Sequence, residues 1–256
     1  MNNYVLITGG SEGIGFEIAK LFAKDKHNLI LVARNSDKLN KAKNMLFDYG
    51  IDIKVLALDL SDIEGCQQLI DYVEDNKLDI EVLVNNAGVG SFGEFKDLLW
   101  KSEENLININ IKALTMLTNY FLPKMIKRKN GGILNVASTA AFSAGPKMAS
   151  YYASKAYVLN LTEAIAEEVK DSGVTVSCLC PGPVKTSFQG KAGIQKSSGA
   201  KKFLMEPAVV ALEAYKNFNK GKVIIIPGAK NKFLVIINKF APRSIVRKII
   251  LKTNGK

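Results

Sequence analysis

Apolar positions along this chain follow two periods. Seven short runs, 4–7, 29–33, 54–60, 81–84, 132–138, 174–180 and 223–226, are largely apolar, whereas the stretches between them carry apolar residues three and four apart. The short runs predict strands covered on both faces, and the longer spacing predicts helices. Helices are expected after Gly15 (Phe16, Ile18, Ala19, Leu21, Phe22), over 36–49, from about 61, and over 101–125, 151–170 and 206–218. Such alternation dictates an α/β fold, a doubly wound parallel sheet with helices on both faces, in one domain covering 1–228. Ligands of such sheets bind at the carboxyl ends of the strands. Residues 229–256 form an extension of that domain in which 230–240 and 244–252 mix bulky apolar residues with cations. Interfacial helices have that composition, and neither segment is long enough to span a bilayer. Four readings of this tail stand open: packing on the body, packing on a neighbouring subunit of a homo-oligomer (dimer or tetramer), peripheral contact with an anionic membrane or lipid-like substrate, and a solvated end.

Composition changes this picture little, because 47% hydrophobic and 23% charged residues in 256 are ordinary globular values. The distribution of charge changes it more. Of 35 Lys+Arg, 24 lie in residues 1–213 beside all 24 Asp+Glu; the remaining 11 follow Glu213 without a single acid. The net charge of +11 therefore belongs to the C-terminal end, and the body offers no electrostatic basis for nucleic acid. Cys66, Cys178 and Cys180 form no even framework and no Cys-x-x-Cys, and the start of the chain shows no secretory signal, so reduced thiols in the cytoplasm are expected. With His27 as the one histidine and no Cys/His cluster, hydrolytic triads and zinc chemistry lack their residues.

Candidate chemistry collects at the ends of the strands. The first runs into Thr8-Gly9-Gly10-Ser11-Glu12-Gly13-Ile14-Gly15 and then a helix. Such a turn lets backbone N–H groups hold a pyrophosphate, a plain glycine-rich turn being the alternative. It has neither the Gly-x-Gly-x-x-Gly spacing nor the Lys of a Walker loop. The second strand ends in Arg34, a cation suited to a ribose 2′-phosphate where an acid would take a free 2′-OH. NADP(H) is therefore preferred and NAD(H) possible; Glu12 argues for the latter, and Arg34 also reads as a solvated strand end. Asp59 ends the third run and either accepts from an adenine amino group or caps the next helix. Asn85-Asn86-Ala87-Gly88 closes the fourth, in a form suited to holding a nucleotide by backbone and side chain. Asn110, set among Ile107, Ile109 and Ile111 inside a predicted helix, marks a kink or water site, or else a solvent-facing amide. Ser138 ends the fifth run, 13 residues before Tyr151. Tyr151 and Lys155 share a helix face, where an ammonium should lower the phenol below its usual value of about 10 and ease proton donation near neutral pH. A chance pairing is the alternative. The sixth run ends at Pro181-Gly182-Pro183-Val184-Lys185-Thr186, followed by a Ser-, Gly- and Lys-rich segment over 187–202 that reads as a mobile lid.

Taken in order, Thr8-Gly-x-x-x-Gly13-Ile-Gly15, Asp59, Asn85-Asn86-Ala87-Gly88, Asn110, Ser138, Tyr151-x-x-x-Lys155 and Pro181-Gly182 resemble the short-chain dehydrogenase/reductase family over about 3–226. The resemblance implies a seven-stranded Rossmann fold and reversible hydride transfer between a nicotinamide cofactor and a carbonyl or alcohol. It implies that Tyr151 gives the proton to the carbonyl oxygen, that Lys155 holds the nicotinamide ribose and lowers the Tyr151 pKa, and that Ser138 orients the substrate. By the same resemblance Asn110 anchors a water linking Lys155 to solvent, and Thr186 meets the carboxamide. The implied cofactor set is Gly9, Ser11, Gly13, Ile14, Gly15, Arg34, Asp59, Leu60, Asn86, Ala87, Gly88, Tyr151, Lys155, Pro181, Gly182, Val184 and Thr186. Arg34 matches the basic position of NADP(H)-preferring members, Glu12 departs from them, and the long tail is a second departure. The tail resembles that of bacterial reductases in cell-envelope or acyl metabolism. The expectation is an NADP(H)-dependent ketone reductase acting on a β-keto ester, aliphatic ketone or similar apolar carbonyl, with Phe92, Phe95, Phe142, Phe188 and Phe203 as candidate walls, core packing being the default reading of each. Reductases of 3-oxoacyl thioesters or hydroxysteroids, and a nucleotide-sensing or membrane-docked binding protein with vestigial chemistry, are the alternatives.

Overall fold

The computed structural model describes residues 3–191 and 204–254. Strands β1 (Asn3–Thr8), β2 (Asn28–Ala33), β3 (Ile53–Ala57), β4 (Asp79–Asn85), β5 (Gly131–Val136), β6 (Val174–Leu179) and β7 (Ile224–Ile225) form one sheet in the order β3-β2-β1-β4-β5-β6-β7, every pair parallel. The winding direction reverses between β1 and β4, and a crevice opens there at the carboxyl edge. Alternate residues of β1 supply both cores: Val5 and Ile7 point to one face, Tyr4 and Leu6 to the other. Helices α1 (Gly13–Lys24), α2 (Ser36–Met45) and α8 (Pro207–Phe218) cover the first face through Phe16, Leu39 and Val210. Helices α3 (Ile63–Asp75), α5 (Leu114–Lys127) and α6 (Ala149–Glu168) cover the second through Leu69, Phe121 and Ala166. Strands buried on both sides explain why their runs are apolar throughout.

The structure departs from the sequence pattern at four places. β3 stops at Ala57, leaving Asp59 and Leu60 in the following turn, and β7 is only two residues long. The helix expected over 36–49 ends at Met45, and a 3₁₀ turn, Phe47–Tyr49, closes on Gly50 in the left-handed region. The helix expected over 101–125 is α4 (Trp100–Ile107), a π-helical stretch Asn108–Ala113, and then α5. Beyond a short α7 (Phe188–Lys191), the tail forms α9 (Ala229–Phe240) and α10 (Arg243–Asn254). Among the described residues no helix is long and apolar enough to cross a membrane. Of the lid expected over 187–202, residues 192–202 lie outside the described residues, as does Phe203.

Candidate active site

A cavity of about 970 Å³ occupies the carboxyl edge of the sheet, large even for a small-molecule site. Six strand ends contribute to its lining. Gly9, Ser11, Gly13 and Ile14 follow β1, Arg34 follows β2, Asp59 and Leu60 follow β3, and Asn86, Ala87 and Gly88 follow β4. Ser138 follows β5; Pro181, Gly182, Val184 and Thr186 follow β6; Tyr151 and Lys155 enter from α6. Two expected residues, Gly15 and Asn110, stand behind the wall instead. A Cβ on Gly15 would come within 2.4 Å of Gly9 O, so this glycine permits close packing beneath the turn.

The glycine turn is braced by polar side chains. Asn86 Nδ2 donates to Thr8 O and Gly9 O, each at 3.0 Å, while Thr8 Oγ1 accepts from the N–H groups of Asn86 and Ala87. The Asn86 amide therefore holds the turn, and only the residue's outer surface meets the cavity. Asn85 turns into the core, donating to Thr118 Oγ1 and Asn135 Oδ1, so the expectation of two nucleotide-facing amides is corrected. Gly13 has a φ of 62°, and a Cβ there would stand 3.2 Å from Thr186 Cγ2. A narrow backbone cradle ahead of the α1 N-terminus is the shape that the phosphates of a dinucleotide require.

Proton chemistry is concentrated on α6. Lys155 is 5% exposed, its Nζ donates to Val136 O at 2.9 Å, and it lies 5.9 Å from the centre of the Tyr151 ring. Burial pushes the Tyr151 phenol up to about 12, against the opposing pull of the Ser138 hydroxyl. Burial also pushes Lys155 down to about 8. The sequence expectation of a depressed phenol is thereby overturned: desolvation outweighs an ammonium that is aimed at a backbone carbonyl and is itself easily neutralised. At neutral pH the phenol is a proton-bearing donor, and the amine behind it gives up its proton far more readily than an ordinary lysine. Ser138 Oγ accepts from Ala140 N at 3.1 Å, so it caps a 3₁₀ turn as well as facing the phenol.

Asn110 is 1% exposed within the π-helical stretch, which rules out the solvent-facing reading. Its Oδ1 accepts from Val89 N and its Nδ2 donates to Val89 O, both at 2.9 Å, and Nδ2 also reaches Ser154 Oγ at 3.0 Å. One amide thus ties the loop after β4 to α6. A wide π turn at a functional site is a recurring device.

At the other end of the cavity Arg34 Nη1 lies 3.7 Å from Asp59 Oδ2, and Lys38 Nζ lies 2.8 Å from Glu12 Oε2. Asp59 accepts from Ser61 N and Ser61 Oγ, and Asp62, not Asp59, occupies the N-cap position of α3. Burial raises the Asp59 pKa, but the Ser61 donors and Arg34 outweigh it and hold the carboxyl below its usual value. Lys38 escaped the sequence reading; its signal was a cation four residues past Arg34 at the start of a helix. Among the phenylalanines, Phe92 and Phe188 line the cavity, and the Phe188 ring stands 5.4 Å from that of Tyr151. Phe142 packs against a core cluster and Phe95 is 65% exposed, so neither is a wall. Thr253 and Asn254 also line the cavity, although nothing in their local sequence pointed there.

The family model described as short chain dehydrogenase matches residues 3–197. The chain belongs to the short-chain dehydrogenase/reductase family. As a member it is an oxidoreductase with the Rossmann-type fold of that family. It is similar to oxidoreductase UcpA of Salmonella typhimurium, 38% identical over 182 residues, which span 71% of this chain and 69% of the relative. A short-chain dehydrogenase from Sphingobium yanoikuyae solved in complex with NADPH superposes with a TM-score of 0.83 at 30% identity, over 93% of each chain. A structure from work on 7β-hydroxysteroid dehydrogenase stereoselectivity superposes at 0.89 and 25% identity, over 97% of this chain and 96% of that one.

Proposed function

We propose that this short-chain dehydrogenase/reductase is an NADP(H)-dependent reductase of apolar ketones, such as β-keto esters and aliphatic ketones. One observation carries the reading: Tyr151, Ser138 and Lys155 face the same cavity as the glycine cradle, beside the apolar walls Phe92 and Phe188. NADPH supplies hydride to the carbonyl carbon when bound. The glycine turn and the α1 N-terminus hold its pyrophosphate, Lys155 its nicotinamide ribose and Thr186 its carboxamide. Arg34 and Lys38, paired here with Asp59 and Glu12, would hold the 2′-phosphate. Ser138 orients the ketone oxygen and Tyr151, protonated at neutral pH, donates to it. The NADPH complex of the Sphingobium yanoikuyae relative supports the cofactor. Likeness to the hydroxysteroid dehydrogenase structure favours a ring-fused ketone as the second reading.

The test is NADPH consumption across a panel containing a β-keto ester, an aliphatic ketone and a steroid ketone. Tyr151→Phe should lower kcat by at least about a hundredfold while leaving NADPH affinity nearly intact; retained turnover would remove Tyr151 from the acid role. Arg34→Asp should turn the ratio of kcat/KM values toward NADH, and an unchanged ratio would reject the phosphate contact.

A further inference from the structure

The tail helices present to solvent what a water-facing helix normally hides. In α9 the half-buried positions are Asn231, Val235 and Asn238, and Asn231 Nδ2 donates to Pro227 O at 2.8 Å. The opposite stripe, Phe233, Ile236, Ile237 and Phe240, recurs at three- and four-residue spacing and stands exposed, Phe240 at 80% and Phe233 at 63%. In α10, Val246, Ile250 and Asn254 are the least exposed positions, while Ile245 and Ile249 are exposed, as are Lys248 and Lys252. Asparagine inward and phenylalanine outward is the pattern of a face made to be covered.

Charge decides what covers it. Residues 229–254 carry 7 Lys+Arg and no acid. A second copy meeting this face through a twofold axis would set those cations against their own equivalents. An anionic bilayer complements both features at once, taking the apolar stripe at the acyl boundary and the cations among its headgroups. We propose that α9 and α10 dock the enzyme on an anionic lipid surface, with Phe233, Ile236, Ile237 and Phe240 inserted and Lys232, Lys239, Lys248 and Lys252 on headgroup phosphates. Residues 1–213 are electroneutral, and 8 of the 11 cations beyond them lie in residues 229–256, so the tail supplies most of the attraction.

The experiment sediments the full-length protein with vesicles of phosphatidylcholine, alone or mixed with phosphatidylglycerol. The protein should pellet with the mixed vesicles only, and added salt should release it. Lys248→Gln with Lys252→Gln should lower partitioning by about thirtyfold, the equivalent of about 1 kcal/mol per cation. Phe233→Ser with Ile236→Ser should lower it independently. All four positions are exposed, and an unchanged melting temperature will confirm that each variant folds. Equal pelleting with neutral vesicles would overturn the proposal, as would pelleting that survives both double substitutions. So would a homo-oligomer that falls apart on Phe233→Ser with Ile236→Ser, because the stripe would then be covered by a second copy.

Discussion

Burial of Lys155 makes the site a stability liability that a pH series can expose. Its pKa falls from an ordinary 10.5 to about 8, so below pH 8 the folded protein must hold a charged amine in a desolvated place. Between those values the unfolded chain binds the proton more tightly than the folded one, and stability rises with pH. A shift of that size corresponds to about 3 kcal/mol at 1.36 kcal/mol per unit. Lys155→Met removes the titration, so its stability relative to the parent should fall by about 3 kcal/mol from pH 7 to 10.5. That change is independent of the constant cost of the lost Val136 contact. Melting curves of the two proteins across that range give the answer; parallel curves would mean that Lys155 is not desolvated. The positions of Tyr151, Lys155 and Ser138 were legible in the sequence because helical spacing and strand ends fix where side chains go. The direction of the Tyr151 shift was not, since it depends on how much of the rest of the chain closes over the phenol.

Strands were legible for a similar reason. A parallel strand buried on both faces has to be apolar along its length, and turn residues bound it on either side. Asn110 shows the limit at the scale of elements: the sequence marks a kink or water site there, but one residue of extra winding leaves the spacing of Ile107, Ile109 and Ile111 unremarkable, so the π-helical form of the kink was silent. A polar ladder within the core was equally silent. Asn85 Nδ2 donates to Asn135 Oδ1 at 2.9 Å, Asn135 Nδ2 to Thr162 Oγ1 at 3.0 Å, and all three residues are buried. The ladder runs from β4 through β5 to α6, and so fixes the helix that carries Tyr151 against the strands that Gly88 and Ser138 follow. Asn135→Ala removes both of its hydrogen bonds and leaves buried groups on either side without their partner. A loss of about 3 kcal/mol in urea unfolding is expected; a loss below about 1 kcal/mol would mean that the neighbours re-pair and that α6 is placed by apolar packing alone.

Across the whole molecule, the cavity draws on nearly the full length of the chain, from Gly9 in the first turn to Asn254 at the end of α10. Most lining residues come from the strand ends of the body, whereas Asn254 reaches the cavity from the C-terminal helix α10. Its Nδ2 donates to Pro146 O at 3.0 Å, and it also bears on the Tyr152 hydroxyl, where burial raises the phenol and Asn254 lowers it. The tail therefore contributes to the cavity wall beside Tyr152. Asn254→Ala should open that wall by one hydrogen bond, raising KM for the ketone about fivefold with kcat and the KM for NADPH unchanged. Steady-state kinetics with either substrate varied separates these effects. A ketone KM equal to the parent's would detach the tail from the active site, and a fall in kcat instead would place Asn254 in the alignment of Tyr151.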